Sequence, residues 1–270
     1  MHNITIVTAF FDIGRGNLPK TMHGRHIPGY QNRTVDDYFS FFANLAKIEN
    51  DMIIYTTPNL KDRILELRQN RTTKVVCFDS YLPTEFEEAK EKIKTIMESS
   101  EYYSKVHNPH LIEYWNPDYV LVNIFKSYYV SHAIENLLVD TDLTAWIDFG
   151  YCRSNNTIPS CNIWRYNFDK DKIHFFNIRE IDRHRSIDSI IYTGDVYIMG
   201  CHIVAGTTQW DYLKTSMIRN LNKLLDDKLI DDDQTLLLMS YLDNTDKFTI
   251  THVDPIDWFI MFKRFNLENT

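Results

Sequence analysis

The sequence predicts a single α/β domain: a mixed, mostly parallel central sheet flanked by helices, with antiparallel strands in the second half. Three observations carry this expectation. Short β-branched and aromatic runs, Ile4–Phe11, Met52–Thr56 and Val75–Phe78, alternate with segments of helical period through the first half, the pattern of βα units. A further apolar run over Ala145–Phe149 carries Asp148 at its end, with Gly150 two residues on; it reads as a buried strand delivering one carboxylate to its C-terminal end. Beyond it, short apolar segments around Asp169-Lys170-Asp171 alternate like antiparallel strands joined by a turn.

The totals fit that class. The chain has 270 residues, 44% hydrophobic and 24% charged, enough for one large core or two small ones. No repeat, low-complexity tract or linker divides it, so one continuous domain over 1–270 is expected. A net charge of −8 argues against a general nucleic-acid binder, which needs a basic footprint, and leaves room for an anionic small ligand held by local cations. Cys77, Cys152, Cys161 and Cys201 form no C-x-x-C pair and read as buried thiols in a reducing compartment. The start, Met1-His2-Asn3-Ile4, lacks the basic and long apolar regions of a signal peptide. No run approaches the roughly 18 apolar residues of a membrane span. A cytoplasmic protein is expected, with peripheral membrane association left open.

Taken in order, the first strand, Ile4–Phe11, runs into Asp12-Ile13-Gly14-Arg15-Gly16. Glycine there lets backbone approach a ligand, although the loop is not G-x-G-x-x-G; an ordinary loop is the equal alternative, and Arg15 gains a role only beside phosphate. Residues 17–33 read as a long loop with His23, Arg25, His26 and Arg33. Val35–Ile48, Leu60–Leu67 and Pro83–Met97 have helical spacing, the last with a solvated charged face. An aromatic, irregular stretch over 101–118 precedes one helix, Tyr119–Leu138, with Lys126 in its first half. After the Asp148 strand, Asn162–Phe168, Lys172–Asn177, Ile190–Tyr192 and Val196–Ile198 read as short strands. Helices follow over Trp210–Leu229 and Asp232–Leu242, then a last strand, Phe248–His252.

Asp148 needs a partner if buried, because an unpaired buried charge is costly. A Mg²⁺ or Mn²⁺ ion bridging a diphosphate would supply one, and capping of the following turn is the alternative. Asp148-Phe149-Gly150 also spells the kinase metal motif, but the kinase catalytic loop and glycine-rich loop are missing. Asp231-Asp232-Asp233-Gln234 exceeds the single aspartate that an N-cap requires, which points to an acceptor-orienting or catalytic carboxylate. His252 sits beside Asp254 as a metal ligand or a structural histidine. Gly200, Ala205 and Gly206 form a small-residue segment suited either to a sugar ring or to tight packing.

These stretches carry a family likeness. Ile4–Arg15, Val122-Asn123-Ile124-Phe125-Lys126, Trp146–Tyr151 and Asp232-Asp233-Gln234 together resemble the HtrL/YibB family, which is associated with lipopolysaccharide and surface-glycan gene clusters. The likeness spans almost the whole chain. More remotely, the order of parts is similar to GT-A glycosyltransferases. That resemblance implies a single GT-A-like domain, with a nucleotide-binding half over 1–150 and an acceptor-side half over 151–270. It implies Thr8, Ala9 and Arg15 on the nucleotide, Lys126 on its base, ribose or phosphates, and Asp148 at the first D-x-D position, with Gly150 where the second aspartate would stand. By the same likeness Asp233-Gln234 faces the anomeric carbon, Gly206 lies on the sugar side, and His252 joins Asp148 on Mn²⁺ or Mg²⁺, a metal weakened by the missing aspartate.

The expected activity is transfer of a hexose from a UDP-sugar to a glycan, lipid-linked or protein-linked acceptor, with Asp232 or Asp233 as general base in an inverting enzyme or the Asp233-Gln234 pair flanking the donor face in a retaining one. The alternative is a non-catalytic glycan- or nucleotide-binding protein on the same scaffold.

Overall fold

The structure is a computed structural model and describes residues 3–158 and 163–266. The strands are β1 (Ile4–Phe10), β2 (Thr21–Met22), β3 (Arg25–His26), β4 (Met52–Thr56), β5 (Thr73–Cys77), β6 (Leu143–Ile147), β7 (Ile173–Asn177), β8 (His202–Gly206) and β9 (Phe248–His252). Seven of them make one sheet in the order β5-β4-β1-β6-β8-β7-β9, and β2 and β3 form a small hairpin. The pairs β4–β5, β1–β4, β1–β6 and β7–β9 are parallel, and β8 is antiparallel to both β6 and β7. Only β8 therefore runs against the rest.

The helices are α1 (Val35–Leu45), α2 (Lys61–Leu67), α3 (Glu87–Glu98), α4 (Ser100–Tyr103), α5 (Pro117–Ile124), α6 (Lys126–Glu135), α7 (Ile187–Thr193), α8 (Trp210–Asp226), α9 (Asp233–Asp243) and α10 (Met261–Arg264). They cover both faces of the sheet. Val7, Ile53, Trp146, Ile203 and Phe175 meet α3, α5, α6, α8 and α9 on one side. Ile6, Ile54, Ala145, Val204 and Phe176 meet α1, α2 and α10 on the other. Burial on both faces is why β1, β4 and β6 read as unbroken apolar runs rather than as alternating strands. Among the described residues no helix is long and apolar enough to cross a membrane.

Local chemistry explains several boundaries. Thr34 and Asp37 close a capping box on α1, and Asn116 accepts from Tyr119 N–H before Pro117 opens α5, a position where proline loses no helical bond. Arg68, 1% exposed, was not anticipated as a core residue. It donates to the carbonyls of Ala46, Ile48, Asn50 and Thr72 and to the Thr73 hydroxyl. One guanidinium thus satisfies the end of α1 and the entries to β4 and β5, groups that would otherwise be buried and unpaired.

Four expectations are corrected. The helix expected over Tyr119–Leu138 is two helices that break at Phe125. Ile190–Tyr192 lies in α7, not in a strand, and its apolar side chains enter the core from a helix. Among the described residues of Asn162–Phe168 and Val196–Ile198, strand-like pairing is limited to the single bridges Asn3–Arg165 and Asn177–Ile198. The 169–171 turn therefore closes no hairpin, and β7 pairs with β8 and β9 instead. Cys161 lies outside the described residues.

Candidate functional site

The sheet order places a site before any side chain is considered. From β1 the chain moves outward through β4 to β5, then returns to the other side of β1 as β6. The order reverses between β1 and β6, and in open α/β sheets ligands bind outside the strand carboxyl ends at such a point. A cavity of about 330 Å³ opens there. Its walls come from the residues after β1 and β6, the turn leading into β8, and the N-termini of α6 and α9.

Eight expected site residues line this cavity: Ala9, Arg15, Lys126, Asp148, Gly150, Asp232, Asp233 and Gln234. They come from five separate stretches of chain. At their centre is Lys126, whose side chain is 6% exposed. Its Nζ donates to Asp233 Oδ2 at 2.8 Å and to the Gly200 carbonyl at 3.1 Å, and lies 3.1 Å from Asp148 Oδ1. Burial works against the charge on Lys126, but Asp148 and Asp233 outweigh it and hold the ammonium protonated. The break at Phe125 puts Lys126 at the first residue of α6, where it faces the end of β6.

The acidic cluster divides its work. Asp231 accepts from Asp232 N–H at 2.9 Å and from the Thr235 hydroxyl at 2.6 Å; burial raises it to about 6. Asp232 is the N-cap of α9, accepting from Gln234 N–H at 3.1 Å. Burial, then the charges of Asp233 and Asp231, push its carboxyl well above the usual carboxylate range. Asp233 is raised by burial, and its ion pair with Lys126 opposes that shift. The cluster is thus Asp231 bracing the turn through Asp232 N–H and Thr235, Asp232 as the half-buried N-cap that lines the cavity, and Asp233 as the ion-pair partner.

Two glycines are explained by neighbours. A Cβ on Gly200 would come 2.0 Å from Asp233 Oδ2, so only glycine lets that carboxylate lie over the turn and reach Lys126. A Cβ on Gly150 would meet the Tyr38 ring at 3.1 Å. Tyr38 takes the Arg15 guanidinium as a hydrogen-bond donor to its hydroxyl, and so fills the space that a longer side chain at 150 would need.

Three expected residues stand elsewhere. Thr8 is fully buried within β1, its hydroxyl unpartnered, and does not line the cavity. Gly206 ends β8, where a Cβ would come 1.6 Å from the Lys170 carbonyl oxygen; its smallness serves packing. His252 is exposed at the end of β9, with β8 and β7 between it and β6. Three strand steps separate it from Asp148, roughly 14 Å, too far to share one cation. Asp148 Oδ1 is moreover already taken by the Trp146 indole at 2.7 Å and by Lys126. Among the described residues, no group of three or more His, Cys, Asp or Glu side chains is placed to hold a metal. The donor set does not fit a resident divalent ion, and the expected Asp148–His252 pair is not brought together.

The cavity also has residues that sequence reasoning did not assign to it: Arg153, Tyr38, Tyr119, Trp258 and Phe259, with Arg33 from the long loop. Arg15 donates to the Gln31 carbonyl at 2.9 and 3.2 Å and packs over the Tyr119 ring, 5.0 Å from its centre. Arg153 lies between the rings of Phe41 and Phe259, at 4.4 and 5.4 Å. The signal available in the sequence was its place three residues after Gly150, in the segment that leaves the Asp148 strand.

Fold and site together define a mixed-sheet α/β protein with a charge-lined cavity at the carboxyl edge of its parallel strands. A family model described as "Bacterial protein of unknown function (HtrL_YibB)" matches residues 2–266. Protein HtrL of Escherichia coli (strain K12) is 35% identical over 269 residues, covering 97% of this chain and 92% of that protein. The chain belongs to the HtrL/YibB family. Among solved structures, apo mouse xyloside xylosyltransferase 1 aligns over 92% of this chain and 85% of its own, at 11% identity and a TM-score of 0.40.

Proposed function

We propose that the protein is a nucleotide-sugar-dependent glycosyltransferase, moving a hexose from a UDP-sugar to a glycan, lipid-linked or protein-linked acceptor. The observation that carries this is the convergence, at the switch point of the sheet, of Lys126, Asp148 and the Asp232–Gln234 turn in one cavity that also presents arginines and aromatic rings. Guanidinium groups suit a diphosphate, and rings such as Tyr119 and Trp258 suit a base or a sugar face.

In the reaction the anomeric carbon forms a bond to the acceptor oxygen as its bond to the diphosphate oxygen breaks. Negative charge grows on the leaving diphosphate, where fixed cations stabilise it most. The acceptor hydroxyl loses its proton to a carboxylate. Asp232 is the better placed of the two candidates, because Asp233 is committed to Lys126 and Asp232 is not. Its raised carboxyl makes it a stronger proton acceptor than an ordinary aspartate once ionised. Asp148 and Lys126 hold one another and fix the floor of the cavity.

The test is UDP release from a panel of UDP-sugars with a surface-glycan or lipid-linked acceptor, comparing wild type with Asp148→Ala and Asp232→Asn. Turnover by the wild type, with Asp232→Asn reduced about 100-fold or more, is the expected result. No release across broad donors and acceptors sinks the transferase reading; donor binding without turnover favours the non-catalytic alternative.

A further inference from the structure

The nucleotide-sugar reading gives the diphosphate to guanidinium groups without saying which of the cavity's arginines hold it. Arg33 and Arg153 both line the cavity, and neither makes an ion pair among the described residues, in contrast with the doubly paired Lys126. Arg153 is the more telling. Its Nε is buried and has no hydrogen-bond partner, which is rare for a charged donor. Its guanidinium is held between two aromatic rings, so its orientation is set by packing and not by an acceptor. Burial, then the nearby charge of Arg33, disfavours its protonated form. Two like charges converge on one cavity and neither is ion-paired among the described residues, an arrangement that costs stability. A multiply charged anion with several acceptor oxygens would satisfy both, because guanidinium forks match phosphate oxygens two at a time.

We propose that Arg33 and Arg153 form the diphosphate grip of this cavity and take the part that a divalent cation would otherwise play. This rests on the nucleotide-sugar reading of the same site and adds the residues and the charge source. It follows from what each cation has available. Lys126 is spent on Asp148 and Asp233, Arg15 is tied to Gln31 and Tyr38, and the carboxylates are not assembled for a metal. The cavity guanidiniums whose donors are not taken by an acceptor among the described residues are Arg33 and Arg153. Their ligand class is a nucleoside diphosphate, bound without a divalent ion.

The experiment is calorimetric titration of UDP, uridine and inorganic pyrophosphate into wild type, Arg33→Gln, Arg153→Gln and Arg153→Lys, each in EDTA and in Mn²⁺. Thermal unfolding of each variant checks the fold. The grip requires UDP binding in EDTA at an affinity within about threefold of that in Mn²⁺, and roughly 10- to 100-fold weaker binding in either glutamine variant. Arg153→Lys should fall between, since it keeps the charge and loses the fork. Because glutamine removes an uncompensated charge, the melting temperatures should equal or exceed wild type. UDP binding that needs Mn²⁺, or that both glutamine variants retain in EDTA, overturns the grip and leaves the nucleotide reading intact. If UDP binds under neither condition, the nucleotide reading falls, and pyrophosphate decides the grip alone: binding in EDTA that the variants lose supports it, and no binding overturns it.

Discussion

Lys126→Met tests the centre of the site most directly. The variant keeps the length of the side chain and removes its charge. In the wild type the ammonium touches Asp233 Oδ2 at 2.8 Å, Asp148 Oδ1 at 3.1 Å and the Gly200 carbonyl at 3.1 Å. The Asp233 and Asp148 side chains are 3% and 33% exposed, so the Asp233 contact dominates and water screens part of the Asp148 contact. Removing one partner of such a buried pair costs about 3–5 kcal/mol, because the other charge is left without compensation. For a chain of this size that lowers the melting temperature on the order of 10 °C. The cost should depend on pH. Without Lys126 the Asp233 carboxyl climbs further above its unfolded value. A raised acid favours the folded state below the unfolded pKa and loses that contribution as pH rises through the folded pKa. The deficit of Lys126→Met should therefore be larger at pH 8 than at pH 5. Urea unfolding of Lys126→Met, Asp233→Asn and the double variant at both pH values measures this. The double variant should be more stable than the sum of the single effects by about 2 kcal/mol. A Lys126→Met protein within about 0.5 kcal/mol of wild type, or strictly additive effects, would refute the ion-pair account.

Other predictions follow from the packing. His202 is fully buried among Tyr151, Trp164, Phe176 and Phe262 with neither ring nitrogen partnered, and burial lowers it to about 3. The unfolded chain binds that proton near pH 6.5, so the neutral ring's contribution is present above pH 6.5 and is lost as pH falls toward 3, by about 2 kcal/mol at pH 5. His202→Phe should remove this part of the acid sensitivity, which is read as the difference between wild-type and variant stability across pH 7 to 4. Gly200→Ala should push Asp233 off Lys126 and lower donor turnover at least about 10-fold, while the far-UV spectrum stays native; unchanged turnover would contradict the assigned geometry. Arg68→Met leaves several buried carbonyls unpaired and should cost about 3 kcal/mol or more in urea unfolding, with no effect on UDP affinity at temperatures where the variant remains folded.

Much of the fold was legible in the chain. The strands at Ile4, Met52 and Leu143 are apolar runs because both faces of the sheet are covered, and such runs separated by helical periods leave little choice of class. The amphipathic α8 and the aspartate cap of α9 were readable for the same reason: the signal is local. Reading failed in the middle of the second half. Ile190-Ile191-Tyr192 is short and apolar, and a run of that length fits a buried helix turn as well as a strand. The Phe125 break was invisible because no proline or glycine marks it.

The sequence by itself determined the alternation of elements, the strand that ends at Asp148, and eight of the residues that line the cavity, because periodicity and capping act over a few neighbouring residues. Tertiary structure decided how those residues pair. Lys126 and Asp233 are 107 positions apart, and only the packed fold brings the N-termini of α6 and α9 to the same cavity. It placed His252 three strands away from Asp148, gave Gly206 to packing, and drew Arg153 in between two rings. Spacing along a chain carries no record of such distances: a carboxylate at a strand end reads the same whether a metal or a lysine meets it, and only the packed sheet shows that Lys126 meets Asp148.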